Sequence, residues 1–311
     1  MSISVVIATY NRATLLGECL RHLADQPFET DDDVVVVDNG STDETPRVIE
    51  AARERFPVRL RHLTESRPGK SHAVAAAVAV ATGDVIAFTD DDVTVDPQWT
   101  STIRQIMRDS GAALVGGPVL PRWEAMPPRW LRFESPEFGR LAAPLGLLNY
   151  GPASIELGPR TVLGANMAVR RTSINKVGGF ACHLGKLRGT LLSGEDHDLC
   201  QRVQAAGYKA MYYPELRVAH WVPVERMRAR YSMSWFFWSG ITHAVLDAAE
   251  PGEPTARVPP HFYRRALMSS IRGVGAAVRG EPAQLMDSAA DVAFVAGYAA
   301  RRWGVKGGGK P

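Results

Sequence analysis

The amino-acid sequence predicts an α/β protein in which a doubly wound, mainly parallel sheet is flanked by helices and followed by a helical C-terminal extension. Apolar, β-rich runs typical of strands buried on both faces occur at residues 3–8, 34–37 and 85–88. Helical patterns alternate with these runs, at residues 14–24, 42–56 and 71–81. Strands that alternate with helices in this way typically form a doubly wound parallel sheet.

Residues near the ends of two helical patterns are typical caps. Ser41 and Ser71 can accept hydrogen bonds from the first backbone N–H groups of the second and third helices. Gly83 can take the left-handed conformation that closes the third helix. We therefore expect these three residues to define helix ends.

The second half of the chain is less regular. Proline and tryptophan recur through residues 119–159 without clear periodicity, and a long insertion in a compact domain is usually functional or mobile. Regular patterning then resumes, with strands expected at residues 165–169, 210–213 and 216–220 and a helix at 195–206.

Charge is distributed unevenly along the chain. The 311 residues carry a net charge of +3. Residues 257–311 hold nine Lys and Arg against three Asp and Glu, so this tail is +6 and the first 256 residues are −3. A basic tail on an acidic body indicates an anionic partner such as a lipid surface. Nucleic-acid binding would depend on the tail alone and is not expected.

Cysteine usage and hydropathy predict the compartment. Cys19, Cys182 and Cys200 are far apart and lack CxxC spacing, which argues against a disulfide framework or a zinc site. The N-terminus enters a strand pattern without a basic region, so we expect no signal peptide. No apolar run approaches the ~20 residues that span a bilayer. We expect a cytoplasmic protein that at most rests on the inner face of a membrane.

Polar clusters follow three of the predicted strands, at residues 9–12, 38–43 and 89–92. In open α/β sheets, ligands bind beyond the carboxyl ends of the strands. The three clusters should therefore face one crevice.

The third cluster contains three consecutive aspartates, Asp90, Asp91 and Asp92. Carboxylates at positions i and i+2 can reach one hard divalent cation, so Asp90 and Asp92 are predicted metal ligands, and Asp91 can turn to a sugar hydroxyl. A solvated acidic turn is the alternative for an isolated run, but three like charges after a buried strand are costly without a cation. His220 closes the strand pattern at 216–220 and can add an imidazole to the same cation, although a lone histidine is more often structural.

The other clusters predict a nucleotide site. Asp38 can accept a hydrogen bond from the ring N–H of a uracil, thymine or guanine. Arg67, Gly69 and Lys70 form a basic, flexible loop before a helix N-terminus, which is a reasonable site for an anion. A solvated surface loop is the alternative for these residues.

A second acidic cluster, GEDHDL at residues 194–199, begins a predicted helix. Carboxylates at a helix N-terminus can simply complement the helix dipole. A transfer to a hydroxyl group, however, needs one carboxylate to take the proton, and we assign this role to Asp196. Glu195 is the main rival, because sequence cannot say which side chain faces the donor. Arg202 can orient the cluster or pair with a neighbour.

Six motifs in this order and spacing resemble the family 2 glycosyltransferases over roughly residues 3–222: VVIATYNR, VVVDNGSTDET, the helix at 69–83, FTDDDV, GEDHDL and VAH. The resemblance implies a GT-A fold, a nucleotide-sugar donor linked to UDP, GDP or dTDP, a Mg²⁺ or Mn²⁺ ion, and inversion at the anomeric carbon. The QxxRW motif of processive members is absent, so the resemblance is to non-processive enzymes that add one sugar at a time.

Carried over by position, the resemblance implies that Thr9, Asn11 and Asp38 line the nucleoside pocket, with Arg67 nearby. Asn39 stands where the common VDDGSTD motif has a second aspartate, and Asp38 beside it is unchanged.

The catalytic assignments also follow by position. Asp90 and Asp92 flank the metal site, and Asp92 is favoured over Asp90 as the direct ligand. Asp196 resembles the catalytic base in the family's ED motif. The resemblance places a GT-A catalytic domain at residues 1–222, with a nucleotide-sugar half at about 1–118 and an acceptor half at about 119–222.

Residues 223–311 form the expected helical, basic extension. Within it, an amphipathic pattern places Phe262, Ala266, Ile271, Val274 and Val278 among arginines. Such a helix can lie in a membrane interface or close over an active site, while packing on the catalytic domain or in a homodimer is an equal alternative. The expected sugar acceptor is a glycan, a lipid-linked glycan or a small molecule.

Three other functions were compared with this interpretation. A sugar nucleotidyltransferase needs a Gly-rich loop after the first strand, where this chain has ATYNRATLL. A dinucleotide oxidoreductase is excluded because no GxGxxG follows a strand. A non-catalytic sugar-nucleotide-binding or scaffold protein is disfavoured because both the DDD and the GED motifs are present.

Overall fold

The computed structural model describes residues 1–133, 137–181, 184, 191, 194–247 and 257–304. The described residues form two compact units. The first comprises those of Met1–Arg122, Gly146–Gly185 and Glu195–Trp221, and the second those of Trp123–Leu145, Lys186–Gly194 and Val222–Pro311. Residues 123–145 thus group with the second unit, although the sequence analysis places them with the first 222 residues.

The element order begins with alternating strands and helices. The strands are β1 (Ile3–Thr9), β2 (Asp33–Asp38), β3 (Arg59–Thr64), β4 (Val85–Asp90), β5 (Val93–Val95), β6 (Leu114–Gly116), β7 (Val119–Trp123), β8 (Ile155–Glu156), β9 (Asn166–Arg170), β10 (Ala210–Tyr212) and β11 (Val218–Val222). The helices of the first unit are α1 (Ala13–Ala24), α2 (Thr45–Arg53), α3 (Lys70–Val80), α4 (Trp99–Ser110), α5 (Arg171–Lys176) and α6 (Glu195–Ala205).

In the described part of the chain, eight strands form one sheet in the order β3-β2-β1-β4-β9-β6-β10-β8. Strands β3, β2, β1 and β4 are parallel to one another, and β6 is parallel to β10. Strand β9 is antiparallel to both of its neighbours. A smaller sheet has the order β5-β11-β7. The predicted doubly wound, mainly parallel architecture is confirmed.

The central strands contribute to two hydrophobic cores because alternate side chains point to opposite faces of the sheet. Val5 and Ile7 of β1 belong to a core that includes Leu16 of α1. Val6, between them, belongs to a second core that includes Val74 of α3. Burial on both faces explains why β1 and β2 are continuous apolar runs. Strand β3, at the sheet edge, is partly exposed and charged, so apolar runs alone do not identify it.

The three predicted caps have other roles in the structure. The Ser41 hydroxyl accepts a hydrogen bond from the backbone N–H of Asn11 (2.9 Å), and α2 begins after Glu44 instead. The Ser71 hydroxyl donates to the carbonyl of Leu184 (2.6 Å). Gly83 does not have a positive φ; a Cβ there would lie 2.4 Å from the backbone nitrogen of Ser4, so Gly83 permits a close backbone approach.

The described residues of the second unit are mainly helical. Its α-helices are α7 (Ala229–Leu246), α8 (Pro260–Arg279) and α9 (Pro282–Arg302), and 3-10 turns occur at Arg129–Leu131, Arg140–Leu145 and Val224–Met227. Helices α7 and α9 approach closely at two glycines. A Cβ at Gly240 would lie 2.0 Å from the carbonyl oxygen of Phe294, and one at Gly297 would lie 1.8 Å from that of Phe237. Neither position has room for a side chain.

A buried aspartate holds α8 and α9 together. The carboxylate of Asp291 accepts hydrogen bonds from Ser269 (2.6 Å), Arg265 (2.7 Å) and Arg140 (2.6 Å). Burial opposes its ionisation, but these hydrogen bonds and the positive charges outweigh burial and lower the pKa of Asp291. The cluster provides the buried charge with partners, as a desolvated carboxylate requires.

Two of the three cysteines lie among the described residues. Cys19 and Cys200 are buried and free, and burial raises the pKa of both thiols, which keeps them protonated. Cys182 lies outside the described residues. In the described part of the chain, none of the helices has the length and apolarity needed to cross a bilayer.

Candidate active site

The polar clusters after β1, β2 and β4 meet at one edge of the sheet. In the strand register, Thr9 is paired with Asp38 of β2, and Ala8 is paired with Asp90 of β4. The carboxyl ends of these three strands are therefore adjacent, as the sequence analysis expects. The cluster at the start of α6 belongs to the same unit and adds Glu195 and Asp196 to this edge.

Asp91 is buried at this edge and faces Thr9. The Thr9 hydroxyl donates a hydrogen bond of 2.7 Å to the Asp91 carboxylate. Burial, and then repulsion by Asp92, raise the pKa of Asp91 to about 7, although Arg12 and Thr9 oppose the shift. The run of three aspartates thus carries an electrostatic cost that a nearby cation reduces.

Asp92 is buried between two cationic or polar groups. One oxygen accepts a hydrogen bond from the Arg12 guanidinium (2.7 Å), and the other lies 3.3 Å from Nε2 of His220. Because β11 pairs with β5, His220 comes next to the strand that follows the aspartate run. Arg12 also approaches Asp91, at 3.9 Å.

Asp90 faces the first residue of α3. Its carboxylate accepts a hydrogen bond of 2.5 Å from the Lys70 ammonium. Burial disfavours the charged form of Lys70, but attraction to Asp90 and then to Asp196 outweighs burial and raises the Lys70 pKa. The same contact lowers the pKa of Asp90 against its own burial. Lys70 is thus a fully charged group inside the site.

Asp196 is partly buried at the start of α6, and one backbone contact fixes its carboxylate. Its Oδ2 accepts a hydrogen bond from the backbone N–H of Gly164 (2.8 Å). A Cβ at Gly164 would lie 2.7 Å from Oδ1, so a side chain at position 164 would displace the Asp196 carboxylate. Burial, and then repulsion by Glu195, raise the pKa of Asp196 to about 7, while Lys70 lowers it. This pKa suits a group that takes a proton near neutral pH.

Glu195 is the less accessible of the two acids at the start of α6. Its Oε2 is buried and has no hydrogen-bond partner among the described residues. A buried carboxylate oxygen without a donor is costly, and a ligand hydroxyl can supply one.

Some of these groups line a narrow cleft that is partly open to solvent. Its polar lining includes Lys70, Asp90, Glu195 and Asp196, and its apolar lining comes from β1, β4 and α3. The mixture of apolar walls and a few converging charges is typical of a small-molecule site.

The loops after β1 and β2 hold each other through Asn11. Its side-chain oxygen accepts a hydrogen bond from the Thr42 backbone N–H (2.7 Å), and its own φ is +50°. Asp38 is buried, and its Oδ1 accepts a hydrogen bond from the Ser41 N–H (2.8 Å). The predicted nucleoside residues Thr9, Asn11 and Asp38 therefore lie on adjoining strand ends.

Asn39 organises the loop that precedes α3. Its amide nitrogen donates hydrogen bonds to the carbonyl oxygens of Glu65 and Arg67, each at 2.8 Å. Its oxygen accepts from the Gly69 N–H, also at 2.8 Å. The Arg67 guanidinium bonds the Glu65 carboxylate (2.7 Å), which lowers the pKa of Glu65 to about 2. Arg67 thus belongs to a loop that Asn39 positions.

Replacing Asn39 with aspartate is expected to lower the free energy of unfolding by about 2–4 kcal/mol, because two carbonyls, one of them buried, lose their donor and face a carboxylate. The melting temperature at pH 8 measures this cost. Asn149→Asp is the matched control, since Oδ1 of Asn149 accepts from Gly151 and Tyr212 and an aspartate can do the same. Equal melting temperatures for the two variants would contradict the role of Asn39.

Arg202 does not orient Glu195 or Asp196. Its guanidinium bonds Asp198 (2.6 Å) and the carbonyls of Val177 (2.5 Å) and Gly179 (2.6 Å). Of the two roles considered for Arg202, pairing with a neighbour is the one observed.

Two site residues were not identified from sequence. Arg12 is part of the first polar cluster, but its position against Asp92 depends on how the loop after β1 folds. Gly164 lies beyond the irregular segment, and nothing in its sequence context indicates a contact with Asp196.

The residues that could hold a divalent cation are Asp92 and His220. A carboxylate and an imidazole suit Mn²⁺ or Mg²⁺ when phosphate oxygens complete the coordination. Among the described residues, no group of three or more His, Cys, Asp or Glu side chains is arranged to hold a metal ion. Asp90, the third predicted ligand, contacts Lys70 instead, and this ion pair neutralises its charge.

Comparison with known proteins agrees with this geometry. The model of Glycosyl transferase family 2 matches residues 4–177. The chain belongs to glycosyltransferase family 2. The matched segment contains β1 to β9, and therefore the polar clusters after β1, β2 and β4.

Two curated relatives cover most of the chain. It is 28% identical to the glucosyl-dolichyl phosphate glucuronosyltransferase of Haloferax volcanii over 255 residues, which is 81% of this chain and 79% of the relative. It is 30% identical to the succinoglycan biosynthesis protein ExoM of Rhizobium meliloti over 251 residues, 80% of this chain and 76% of the relative.

A solved structure shows the same fold. The mannosyltransferase PcManGT from Pyrobaculum calidifontis, determined in complex with GDP-Man and Mn²⁺, has a TM-score of 0.65 to this chain. The match covers 98% of this chain and 88% of the mannosyltransferase at 20% identity, so this likeness shows the fold alone. The predicted GT-A fold is confirmed for this family 2 glycosyltransferase.

Proposed function

We propose that this glycosyltransferase moves one sugar from a nucleoside diphosphate to an acceptor hydroxyl with inversion at the anomeric carbon. The observation that carries the proposal is Asp196, a partly buried carboxylate with a pKa of about 7 in the same cleft as Asp90. Asp196 takes the proton of the acceptor hydroxyl while that oxygen forms the new bond to the anomeric carbon. The bond to the diphosphate breaks, and the nucleoside diphosphate leaves with its electron pair.

The other site residues bind and orient the donor. Asp38 accepts the ring N–H of the base, and Thr9 and Asn11 line the nucleoside pocket. Lys70, charged and facing the cleft, attracts the diphosphate, and the buried Oε2 of Glu195 accepts a sugar hydroxyl.

A divalent cation, Mg²⁺ or Mn²⁺, fits beside Asp92 and His220. When bound, it stabilises the negative charge that develops on the departing diphosphate. The Arg12 guanidinium donates a hydrogen bond to the same Asp92 carboxylate, so it places a second positive charge beside the proposed cation site.

The acceptor is proposed to be a lipid-linked glycan at a membrane surface. One relative is named for a glucosyl-dolichyl phosphate substrate and another for succinoglycan biosynthesis. The basic C-terminal region, with nine Lys and Arg against three acids after residue 256, suits an anionic surface.

A donor screen tests the proposal. Thermal shift and donor hydrolysis are measured with UDP-, GDP- and dTDP-sugars, each with Mn²⁺ or with EDTA. One nucleotide class should stabilise the protein by about 2.7 kcal/mol at a hundredfold excess over its dissociation constant, and hydrolysis should follow that class.

Two variants sharpen the screen. Asp38→Asn should lose the preference for that base. Asparagine has one side-chain oxygen, which the Ser41 N–H occupies, and its amide nitrogen cannot accept a hydrogen bond from the ring N–H. Asp84→Asn, at the opposite end of β4 where it bonds Ser2 (3.0 Å), should respond as the wild type does. If no nucleotide sugar shifts the wild type, the transferase proposal fails and a scaffold function takes its place.

A further inference from the structure

One face of α8 is apolar and exposed although the opposite face is buried. We call it the α8 stripe; it consists of Tyr263, Leu267, Ile271, Val274 and Val278. Each of these side chains is at least half exposed, and Val278 is 84% exposed. Their spacing of three or four residues places them on one side of the helix.

The stripe is separate from the core of the second unit. The buried face of α8 includes Phe262, whose ring stacks on Tyr298 with a centroid distance of 4.2 Å and lies 6.1 Å from the ring of Phe294. The five apolar residues of the predicted amphipathic pattern do not share one environment: Phe262 is buried and Ala266 is partly buried, whereas Ile271, Val274 and Val278 are exposed. The helix has two apolar faces, and only one of them packs against the described residues.

The charge on α8 is of one sign. The helix contains four arginines and no acidic residue: Arg264, Arg265, Arg272 and Arg279. Arg265 and Arg272 pair with Asp291, and Arg279 pairs with Glu281. Arg264 is exposed, follows Tyr263 directly and has no ion-pair partner among the described residues. A cation is thus placed at the edge of an exposed apolar surface.

We propose that the α8 stripe inserts into the headgroup region of an anionic phospholipid bilayer, with Arg264 on the lipid phosphates. An amphipathic helix with basic residues beside its apolar face binds in this way. A second copy of the chain is a poorer occupant, because a symmetric contact of stripe with stripe would bring the unpaired Arg264 of both copies into one interface. The inference adds to the proposed lipid-linked acceptor, but its test needs no transfer assay.

Vesicle co-sedimentation of the full chain tests the proposal. Vesicles of phosphatidylcholine are compared with vesicles that contain about 40% phosphatidylglycerol, an anionic lipid. The wild type should bind the anionic vesicles and not the neutral ones, and added salt should weaken binding. Leu267→Glu with Ile271→Glu should lower the binding constant at least about tenfold, because two apolar side chains are lost from the interface.

Matched variants separate apolar insertion from charge. Ala277→Glu adds an acid at an exposed position of α8 outside the stripe and should bind much more tightly than the double variant. Arg264→Gln should lower binding about fivefold, as expected for one basic residue near an anionic surface. Donor-induced thermal shifts should be the same for all these variants, so a folding defect or a failure of the proposed transferase activity would be seen separately.

Two results would overturn the proposal. In one, the wild type does not bind anionic vesicles, or the double variant binds them as well as Ala277→Glu does. In the other, the wild type is a dimer by light scattering and the double variant is a monomer, which would make a second copy the occupant of the stripe.

Discussion

Replacing Asp196 with asparagine is expected to lower the rate of sugar transfer by about 10²–10⁴-fold, the usual contribution of a general base. Asparagine keeps the shape of the side chain and an oxygen for the Gly164 N–H, but it cannot take a proton. Nucleotide binding should remain, because the nucleoside residues follow β1 and β2. Single-turnover transfer and donor-induced thermal shift measure the two properties separately.

The pH dependence of the wild type follows from the same carboxyl group. Its pKa of about 7 means that the transfer rate should rise as pH passes 7, when Asp196 becomes ionised. Stability should change in the opposite sense. Because the folded-state pKa lies above the ordinary value of 3.8, the wild type loses stability as pH rises from 3.8 to about 7. The melting temperature of Asp196→Asn should therefore be higher than that of the wild type at pH 8. At about pH 3.5 the two melting temperatures should be equal.

Two variants on the same helix serve as comparisons. Glu195→Gln tests the rival base and should still transfer sugar, with weaker donor binding. Its pH profile should shift to lower pH, because the charge of Glu195 no longer raises the pKa of Asp196. Asp198→Asn changes a carboxylate that pairs with Arg202 and should keep most of the activity. If Glu195→Gln is inactive while Asp196→Asn transfers sugar normally, the base is Glu195 and our assignment is wrong.

Replacing Asp92 with asparagine is expected to remove the dependence on a divalent cation. The carboxylate lies next to His220 and would be the anionic ligand of the ion. A cation that stabilises the leaving diphosphate contributes several kcal/mol, so the transfer rate should fall about 10³-fold. The measurements are transfer rate against Mn²⁺ concentration and calorimetric binding of Mn²⁺ in the presence of nucleoside diphosphate.

The control for Asp92 is Asp84→Asn, which removes a carboxylate directly before β4, at the end of that strand away from Asp92. Its rate and Mn²⁺ dependence should match those of the wild type. If wild-type transfer is equally fast in EDTA, then Arg12 supplies the positive charge at Asp92 and the metal proposal is wrong.

The core of the fold could be predicted because its signals are local. Strands β1, β2 and β4 are apolar on both faces, and the polar residues directly after them must meet at one edge of a parallel sheet. That rule alone places Thr9, Asp38 and Asp90 together. Strand β3 has no such signal, since it lies at the edge of the sheet and carries Arg59 and Arg61.

The caps could not be predicted because serine and glycine satisfy several local geometries. Ser71 accepts no helix N–H bond in the structure; its hydroxyl donates to Leu184, which is 113 residues away in sequence. Gly83 is required by the backbone of Ser4, not by a helix end. Contacts of this kind depend on chain segments that a local pattern does not contain.

The sequence by itself determined the family, the parallel half of the sheet and the set of acidic residues at its edge. Only the tertiary structure decided which charges meet: Lys70 against Asp90, Arg12 and His220 against Asp92, and Gly164 against Asp196. It also decided which face of α8 is buried. Periodicity identifies the apolar faces of a helix or strand, whereas the partner of each face, and the pKa of each buried group, depend on residues brought together from distant parts of the chain.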